Sequence, residues 1–464
     1  MKNDLSLAKK YLQILIFAIV LLLVSNTIGY AQFIIGTFQD PRLSTSIDTT
    51  NTKQVEADSI SFQKAKDAYF NLLTGYQDSS YLVHSEAGID YALYIASKVG
   101  LKYFVRDPRF IDRAPFSETT AAAVVKHYKG LNAARRNAIY GYNIIDEPEL
   151  GISSNIKKWI SYFKKNDPSK LAYINLLPDF AFKTKPEYEK YLDTYLFDRN
   201  PNNNPNVVSY DHYPFHPKDT RNYFYNLFVI RKKAGDKPFW AHPMSAFHEA
   251  YLDPDENQLR FMVFCPLAYG AKGLIYFTYE RPDGYKDVIM SEGKMGVKYG
   301  IVKTINHYIT DVIAPVVMNS KNLGAFHKSN YGTPTGEVLS KEQMLNSKTP
   351  LISDLRAYSL LAGVFQDNNV ATTYYSLVVN KSFRKIINVK IILKGGDYRN
   401  KISVSPSAVS YSGNSAYTKP DSEEYNSKSN ETEIYINSLA GCEGRMIKIT
   451  DVKNPFNRKT GIGI

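Results

Sequence analysis

Two rhythms of apolar and polar positions divide this 464-residue chain. From Phe33 to Val312, short runs rich in β-branched and aromatic residues alternate with longer stretches carrying apolar residues every three to four positions. The first pattern is that of buried strands and the second that of amphipathic helices. Eight strands are predicted, at 33–37, 81–84, 101–106, 139–146, 171–177, 207–213, 238–242 and 273–279. Helices are expected at 61–73, 88–99, 119–134, 155–165, 186–196, 221–234 and 256–268, with a last one at 298–312. Local signals agree. Asp167-Pro168 stops one helix, and Asp253-Pro254-Asp255-Glu256 opens another with carboxylates at the positive end of its dipole.

Eight strand–helix pairs over about 280 residues match an α/β fold of the (β/α)8, or TIM, barrel type. A doubly wound open sheet would call for a glycine-rich phosphate loop after the first strand, and Gly36-Thr37-Phe38-Gln39-Asp40-Pro41 is not one. Beyond Val312 helical periodicity fades. Strand-like runs recur at 360–365, 374–380, 388–393, 433–436 and 445–449, separated by turns such as Lys394-Gly395-Gly396-Asp397 and by long polar loops at 330–349 and 410–431. This reads as a small C-terminal antiparallel β-sandwich. The expected division is a barrel over 32–313 and an accessory β-domain over 314–464.

The first 31 residues read as an address. Lys2, Lys9 and Lys10 precede an apolar run at 12–24, and Gly29 and Ala31 stand at −3 and −1 before Gln32. That is a bacterial signal peptide with a peptidase site, too short in its apolar part for a comfortable span. An exported chain, periplasmic or extracellular, is expected, with an uncleaved anchor as the alternative. No second long apolar run predicts another span.

Composition narrows the function. Hydrophobic residues at 44% and charged residues at 22% are globular values. The net charge of +12 is scattered in pairs, without an RNA-binding signature, zinc-finger spacing or basic-plus-heptad region, so no nucleic-acid partner is expected. Two cysteines, Cys265 and Cys442, provide neither a disulfide framework nor a zinc site. No cofactor or metal is expected. The 36 tyrosines suit either a carbohydrate-facing surface or tight packing.

In this architecture the C-terminal strand ends carry the chemistry. There the sequence places His84, Arg106 with Asp107, Asp146-Glu147-Pro148-Glu149, Asn175, Asp211-His212-Tyr213, Trp240 and His242, Glu249, and Glu280. The set is rich in carboxylates and lacks a nucleophilic Ser or Cys with a base. Paired carboxylates suit glycosidic bond cleavage, where one is held protonated to serve the leaving oxygen. Glu147 fits best as the acid, because an apolar strand and the adjacent Asp146 would both raise its pKa. Simple capping of the helix that follows is the alternative for this acidic stretch. Glu280 and Glu249 are candidates for the second carboxylate. His84, Arg106, Asn175, Asp211, His212, Tyr213, Trp240 and His242 are candidates for substrate binding, with Trp240 either a stacking platform or core.

The stretch YGYNIIDEPELG (140–151) resembles the fourth-strand motif of clan A-like barrel glycoside hydrolases, and VVSYDHYPF (207–215) resembles their sixth strand. KPFWAHPMSAF (237–247) and RFMVFCPLAYGAKGLIYFTYE (260–280) are similar to the passage from strand seven to strand eight in relatives of family 42 β-galactosidases. GVFQD (363–367), YYSLVVNKS (374–382) and AGCEGRMIKI (440–449) resemble the accessory β-domain of such enzymes. The resemblance implies an exported glycoside hydrolase acting on oligo- or polysaccharides, most simply with retention. Two departures stand out. Asp146 replaces the Asn that usually precedes the acid, and strand seven ends without a carboxylate before Glu249. The Asp146-Glu147 pair also resembles substrate-assisted hexosaminidases, including family 123, in which the acid would be Glu147 and Asp146 would orient the substrate's acetamido group. A barrel that only binds glycans is the other reading, and the chain's oligomeric state stays open, a homo-oligomer included.

Overall fold

The computed structural model describes residues 32–44, 47–76, 85–111, 113–216, 222–248, 251–281, 285–286, 288–332, 337–453 and 455–456. Eight parallel strands close into a barrel in chain order: β1 (Ile34–Phe38), β2 (Leu72–Leu73), β3 (Lys102–Val105), β4 (Ile139–Asp146), β5 (Leu171–Leu176), β6 (Val208–Asp211), β7 (Phe239–His242) and β8 (Gly273–Phe277). Strand β1 pairs with β8 along its whole length and closes the ring. Helices follow the strands, and their starts are set by side-chain caps. Ser85 accepts from the Gly88 N–H at 3.1 Å ahead of the helix Glu86–Val99. Asp255 and Gln258 form a reciprocal capping box at the start of Glu256–Ala268.

One strand departs from the sequence reading. The second barrel strand is Leu72–Leu73, whereas the run at 81–84 lies outside the described residues. The helix before it ends at Asp67, and Asn71 then bonds the Ile35 N–H and the Phe33 carbonyl, holding the short strand beside β1. Two residues carry no alternation for a pattern to detect, so they read as the tail of a helix. The expected helix 119–134 is two, Glu118–Gly130 and Ala133–Ala138, broken where Asn132 caps the second.

The barrel interior grades from apolar to polar along each strand. Because side chains alternate, Leu171, Tyr173 and Asn175 of β5 point the same way, as do Val207, Ser209 and Asp211 along β6. Ile34, Leu72, Phe104, Leu171, Tyr173, Val207, Trp240 and Ile275 form one buried plug. Phe104 stacks on Tyr173 at 4.7 Å between ring centres. The inward positions that follow, at the C-terminal ends, are Asn175, Asp211 and His242. Among the described residues this gradient puts the polar and charged ends of β5, β6 and β7 where the barrel opens.

After the barrel come a small hairpin, β9 (Met290–Ser291) with β10 (Lys294–Met295), and the helix Tyr299–Tyr308, which runs on through a π turn into Ala314–Met318. Two antiparallel sheets follow. One has the order β11 (Ser320–His327), β13 (Leu360–Asp367), β14 (Tyr374–Asn380), β19 (Gly444–Ile449), β16 (Ile402–Val404). The other has β12 (Ile352–Arg356), β15 (Ile386–Lys394), β18 (Glu431–Leu439), β17 (Ser422–Asn426). Strand β17 falls inside the expected loop 410–431. Its burial alternates only between exposed and half-buried, so it has no apolar stripe to announce it.

Strand β13 is buried on both faces. Leu360, Ala362 and Val364 enter the core between the sheets, while Leu361 and Phe365 pack on the barrel side. Gly363 is where the β-domain meets the barrel helix Glu256–Ala268. A Cβ there would stand 2.2 Å from the Ala268 carbonyl oxygen. Gly363→Val is expected to destabilise the chain by about 3 kcal/mol, since the obstacle is backbone and cannot rotate away. Chemical denaturation of the two proteins checks this, and an unchanged midpoint would refute it.

Much of the tyrosine content is structural. Tyr103, Tyr128, Tyr142, Tyr188, Tyr191, Tyr195 and Tyr210 are among the largest fully buried side chains. No helix among the described residues is long and apolar enough to cross a membrane.

Candidate active site

Strand β4 carries an irregularity in its pairing with β5 between Asn143 and Ile145, and beyond it Asp146 lies opposite Asn175. The chain then turns sharply. Glu147 adopts a left-handed conformation, φ +48°, with its N–H bonded to the Asn175 carbonyl at 2.9 Å and Pro148 following. That conformation costs a non-glycine residue about 1–3 kcal/mol. Its effect is to bring two consecutive acidic side chains to one mouth of the barrel.

Asn175 joins three strands. Its side-chain amide donates to Asp146 at 3.0 Å and to Asp211 at 2.8 Å, while its carbonyl oxygen accepts from Ser209 at 3.0 Å. Ser209 in turn meets His242 Nε2 at 3.1 Å and the Tyr173 hydroxyl at 2.8 Å. Glu147 and the Tyr213 hydroxyl both stand close enough to Asp211 to perturb its ionisation. Three carboxylates, from the ends of β4 and β6, therefore gather at one mouth of the barrel.

Burial, reinforced by the Asp146 charge, pushes the Glu147 carboxyl up to about 7. Burial and the neighbouring Glu147 and Asp146 charges push Asp211 well above the ordinary carboxylate range, against the opposing bonds from Asn175 and Tyr213. The Glu147–Asp211 pair thus retains a proton near neutrality. His242 is pushed down to about 3 by burial, so it stays a neutral imidazole. It braces Ser209 and Tyr173 and serves as no proton donor.

The other residues singled out from sequence fall elsewhere. His84 and Glu249 lie outside the described residues. Glu280 is 4% exposed at the opposite rim, where the Arg281 N–H donates to it at 3.2 Å and Arg42 Nε stands 3.8 Å away. Its burial raises its pKa, but its partners belong to β1 and β8 and not to the Glu147 cluster. Arg106 lies with its guanidinium carbon 4.1 Å from the centre of the Tyr76 ring. Asp107 turns away from it and pairs with Arg109 and Tyr128. Trp240, 2% exposed, belongs to the barrel plug and presents no stacking face, so its role as a platform is corrected to core. His212, 3% exposed, packs edge-on against Phe180 and Tyr223 in the wall.

The aromatic surface lies on other residues. Tyr76 stacks on Phe38 at 4.0 Å, Phe38 meets Phe277 at 5.1 Å, and Phe277 stacks on Tyr213 at 5.4 Å. His248 and Tyr285 stack at 4.6 Å beside Phe277. This belt borders the carboxylates through Tyr213. The Phe38-Gln39-Asp40 and Phe277-Thr278-Tyr279 strand ends were the available signal for it, together with the period-two partners Tyr173 and Ser209 below Asn175 and Asp211. Among the described residues no group of three or more His, Cys, Asp or Glu side chains is arranged to hold a metal ion.

No protein-family model and no curated protein matches the chain. Solved structures do. A β-galactosidase from Bacillus circulans sp. alkalophilus superposes with a TM-score of 0.52 at 8% identity, over 90% of this chain and 99% of that one. A cycloisomaltooligosaccharide glucanotransferase from Paenibacillus sp. has a TM-score of 0.49 at 7% identity, over 89% and 84%. A family 51 α-L-arabinofuranosidase from Bifidobacterium longum has a TM-score of 0.45 at 11% identity, over 90% and 96%. The first of these likenesses is one of fold.

Proposed function

We propose that the chain is a glycoside hydrolase whose general acid is Glu147. The observation that carries this reading is the half-buried Glu147 carboxyl, raised to about 7 by desolvation and the Asp146 charge at the C-terminal mouth of a barrel. A group that keeps a proton near neutrality in a solvent-reachable mouth can protonate a departing glycosidic oxygen. The adjoining aromatic belt suits the apolar faces of sugar rings. The β-galactosidase that shares the fold is itself a glycosidase, which is consistent with this reading.

Asp211 neighbours Glu147, whose charge raises the Asp211 pKa, and this fits a positioning group better than a partner nucleophile set about 5–5.5 Å away across the sugar. Its part is to position Glu147 and set its proton. Retention of configuration, export directed by residues 1–31, and a catalytic barrel at 32–313 with an accessory domain at 314–464 complete the proposal. One observation favours a second reading of the attacking group. Asp146 is adjacent to the acid and anchored by Asn175, as an orienter of a substrate acetamido group would be.

The test is reducing-sugar release by the chain from Gln32 onward, on a panel of β-galactosides, β-glucosides, β-mannosides, N-acetylhexosaminides and polysaccharides, with the anomer of the first product followed by NMR. Silence across the panel would favour a glycan-binding barrel. Asp146→Asn then separates the two readings. Under the two-carboxylate reading it removes one cause of the raised Glu147 pKa, so turnover persists and the alkaline limb of the pH profile moves to lower pH. Loss of turnover at every pH, confined to N-acetylated substrates, would establish the acetamido reading instead.

A further inference from the structure

A cavity of about 570 Å³ opens at the seam between the barrel and the β-domain, on the face opposite the carboxylates. It is bounded by the end of the helix Tyr223–Ala234, the segments leading into β7 and β8, and the start of β11. Five cations converge on it: Arg231, Lys232, Lys237, Lys272 and Lys321. A helix dipole accounts for Arg231 and Lys232, which sit in the last helical turn. It does not account for Lys237, Lys272 and Lys321, which arrive from three other segments.

None of the five makes an ion pair among the described residues. Arg231 donates to the Asn322 carbonyl at 2.8 Å, tying the helix to β11, and Lys237 donates to the Leu196 carbonyl at 3.2 Å. The one carboxylate in the lining, Asp236, is exposed and pairs with none of them. Lys237 and Lys272 are partly desolvated without an anion to offset it, and burial lowers both pKa values. Ser320 lines the same cavity, is 3% exposed, and its hydroxyl has no hydrogen-bond partner among the described residues. Uncompensated cations around a buried unpaired donor describe a receptor for an oxyanion.

We infer that this cavity binds a segment of anionic polysaccharide, with sulfate or carboxylate groups held by Lys237, Lys272 and Lys321 and by the Ser320 hydroxyl. The polymer as source rests on the glycosidase reading above. The cavity is an open concavity with Phe239 and Tyr269 buried in its wall, so it has no stacking face for nucleic-acid bases. Lying away from the acid, it would hold the polymer while another stretch of it reaches the mouth, in the manner of a second binding module.

The experiment measures binding of the Glu147→Gln full chain, which separates binding from turnover, to dextran sulfate, polygalacturonate, neutral dextran, inorganic sulfate and a DNA oligonucleotide. A triple variant, Lys237→Gln with Lys272→Gln and Lys321→Gln, is expected to lose about tenfold or more in affinity for the anionic polysaccharides. A control triple with the same charge change, Lys126→Gln with Lys303→Gln and Lys428→Gln, is expected to keep it. Equal loss in the control would assign the binding to bulk charge and overturn the proposal. So would competition by DNA as strong as by the polysaccharide, binding of inorganic sulfate alone, or equal binding of neutral dextran. Wild-type turnover of neutral glycans without polyanion binding would sink this site and leave the hydrolase reading intact. Polyanion binding without turnover on any substrate would do the reverse.

Discussion

Under the glycoside hydrolase proposal, Glu147→Gln is expected to lower kcat on a cleaved glycoside by about a thousandfold. Glutamine keeps the length of the side chain and the left-handed turn at 147, and it leaves Asp211 with a polar neighbour, so the barrel should fold as before. Only the transferable proton is gone. The loss should be much smaller on substrates with an activated aryl leaving group, which departs without protonation. The pH profile gives an independent reading. An acid must be protonated to act, so wild-type activity should fall as pH rises through about 7, the value to which burial and Asp146 raise Glu147. In the variant that alkaline limb should be missing from the residual rate. A variant that keeps wild-type kcat on unactivated substrates would remove Glu147 from the mechanism.

Asp211→Asn is the second large effect, and it acts on activity and stability in opposite directions. Activity should fall by about a hundredfold, because the group that orients the acid and shares its proton is lost. Stability should rise at alkaline pH. The folded-state pKa of Asp211 lies above its unfolded value of about 3.9. Its protonated form in the fold is therefore favoured below the unfolded pKa, and that advantage disappears as pH climbs to the folded pKa. As pH rises the wild type moves toward a further charge in this half-buried carboxylate cluster, and the amide does not. Thermal unfolding at pH 5 and pH 8 should show the variant gaining on the wild type by ~2 °C or more at the higher pH. A gap that stays constant between the two pH values, or closes, would mean that Asp211 is not held protonated by its surroundings.

Such a site is stressed by design. Three carboxylates, one of them on a left-handed glutamate, are gathered around one asparagine, and each is less comfortable than the residue that would replace it. The barrel tolerates this because its deeper layers are apolar and tightly filled. Gly273 shows how tightly: a Cβ there would lie 2.6 Å from the Trp240 ring.

The local pattern of the chain was sufficient for the barrel. Strand and helix periods are written in residues two or four apart, and seven of the eight barrel strands could be read that way. It was sufficient as well for the Asp146-Glu147 pair, since neighbouring residues at a strand end share a location whatever the rest of the fold does. The two-residue strand Leu72–Leu73 and the edge strand Ser422–Asn426 escaped, because neither is long or amphipathic enough to carry a period.

What only the tertiary structure decided is which distant groups meet. Asn175 bridges Asp146 and Asp211 because β5 lies between β4 and β6, an adjacency that no local pattern states. Trp240 went to the plug and His212 to the wall, and Phe277, Tyr76 and Phe38 to the mouth, because strand register and the turn after each strand set the direction of a side chain. The protonation of Glu147 and Asp211 was decided there too. A carboxyl pKa moves with the water removed and the charges brought near, and both are properties of packing between strands rather than of order along the chain.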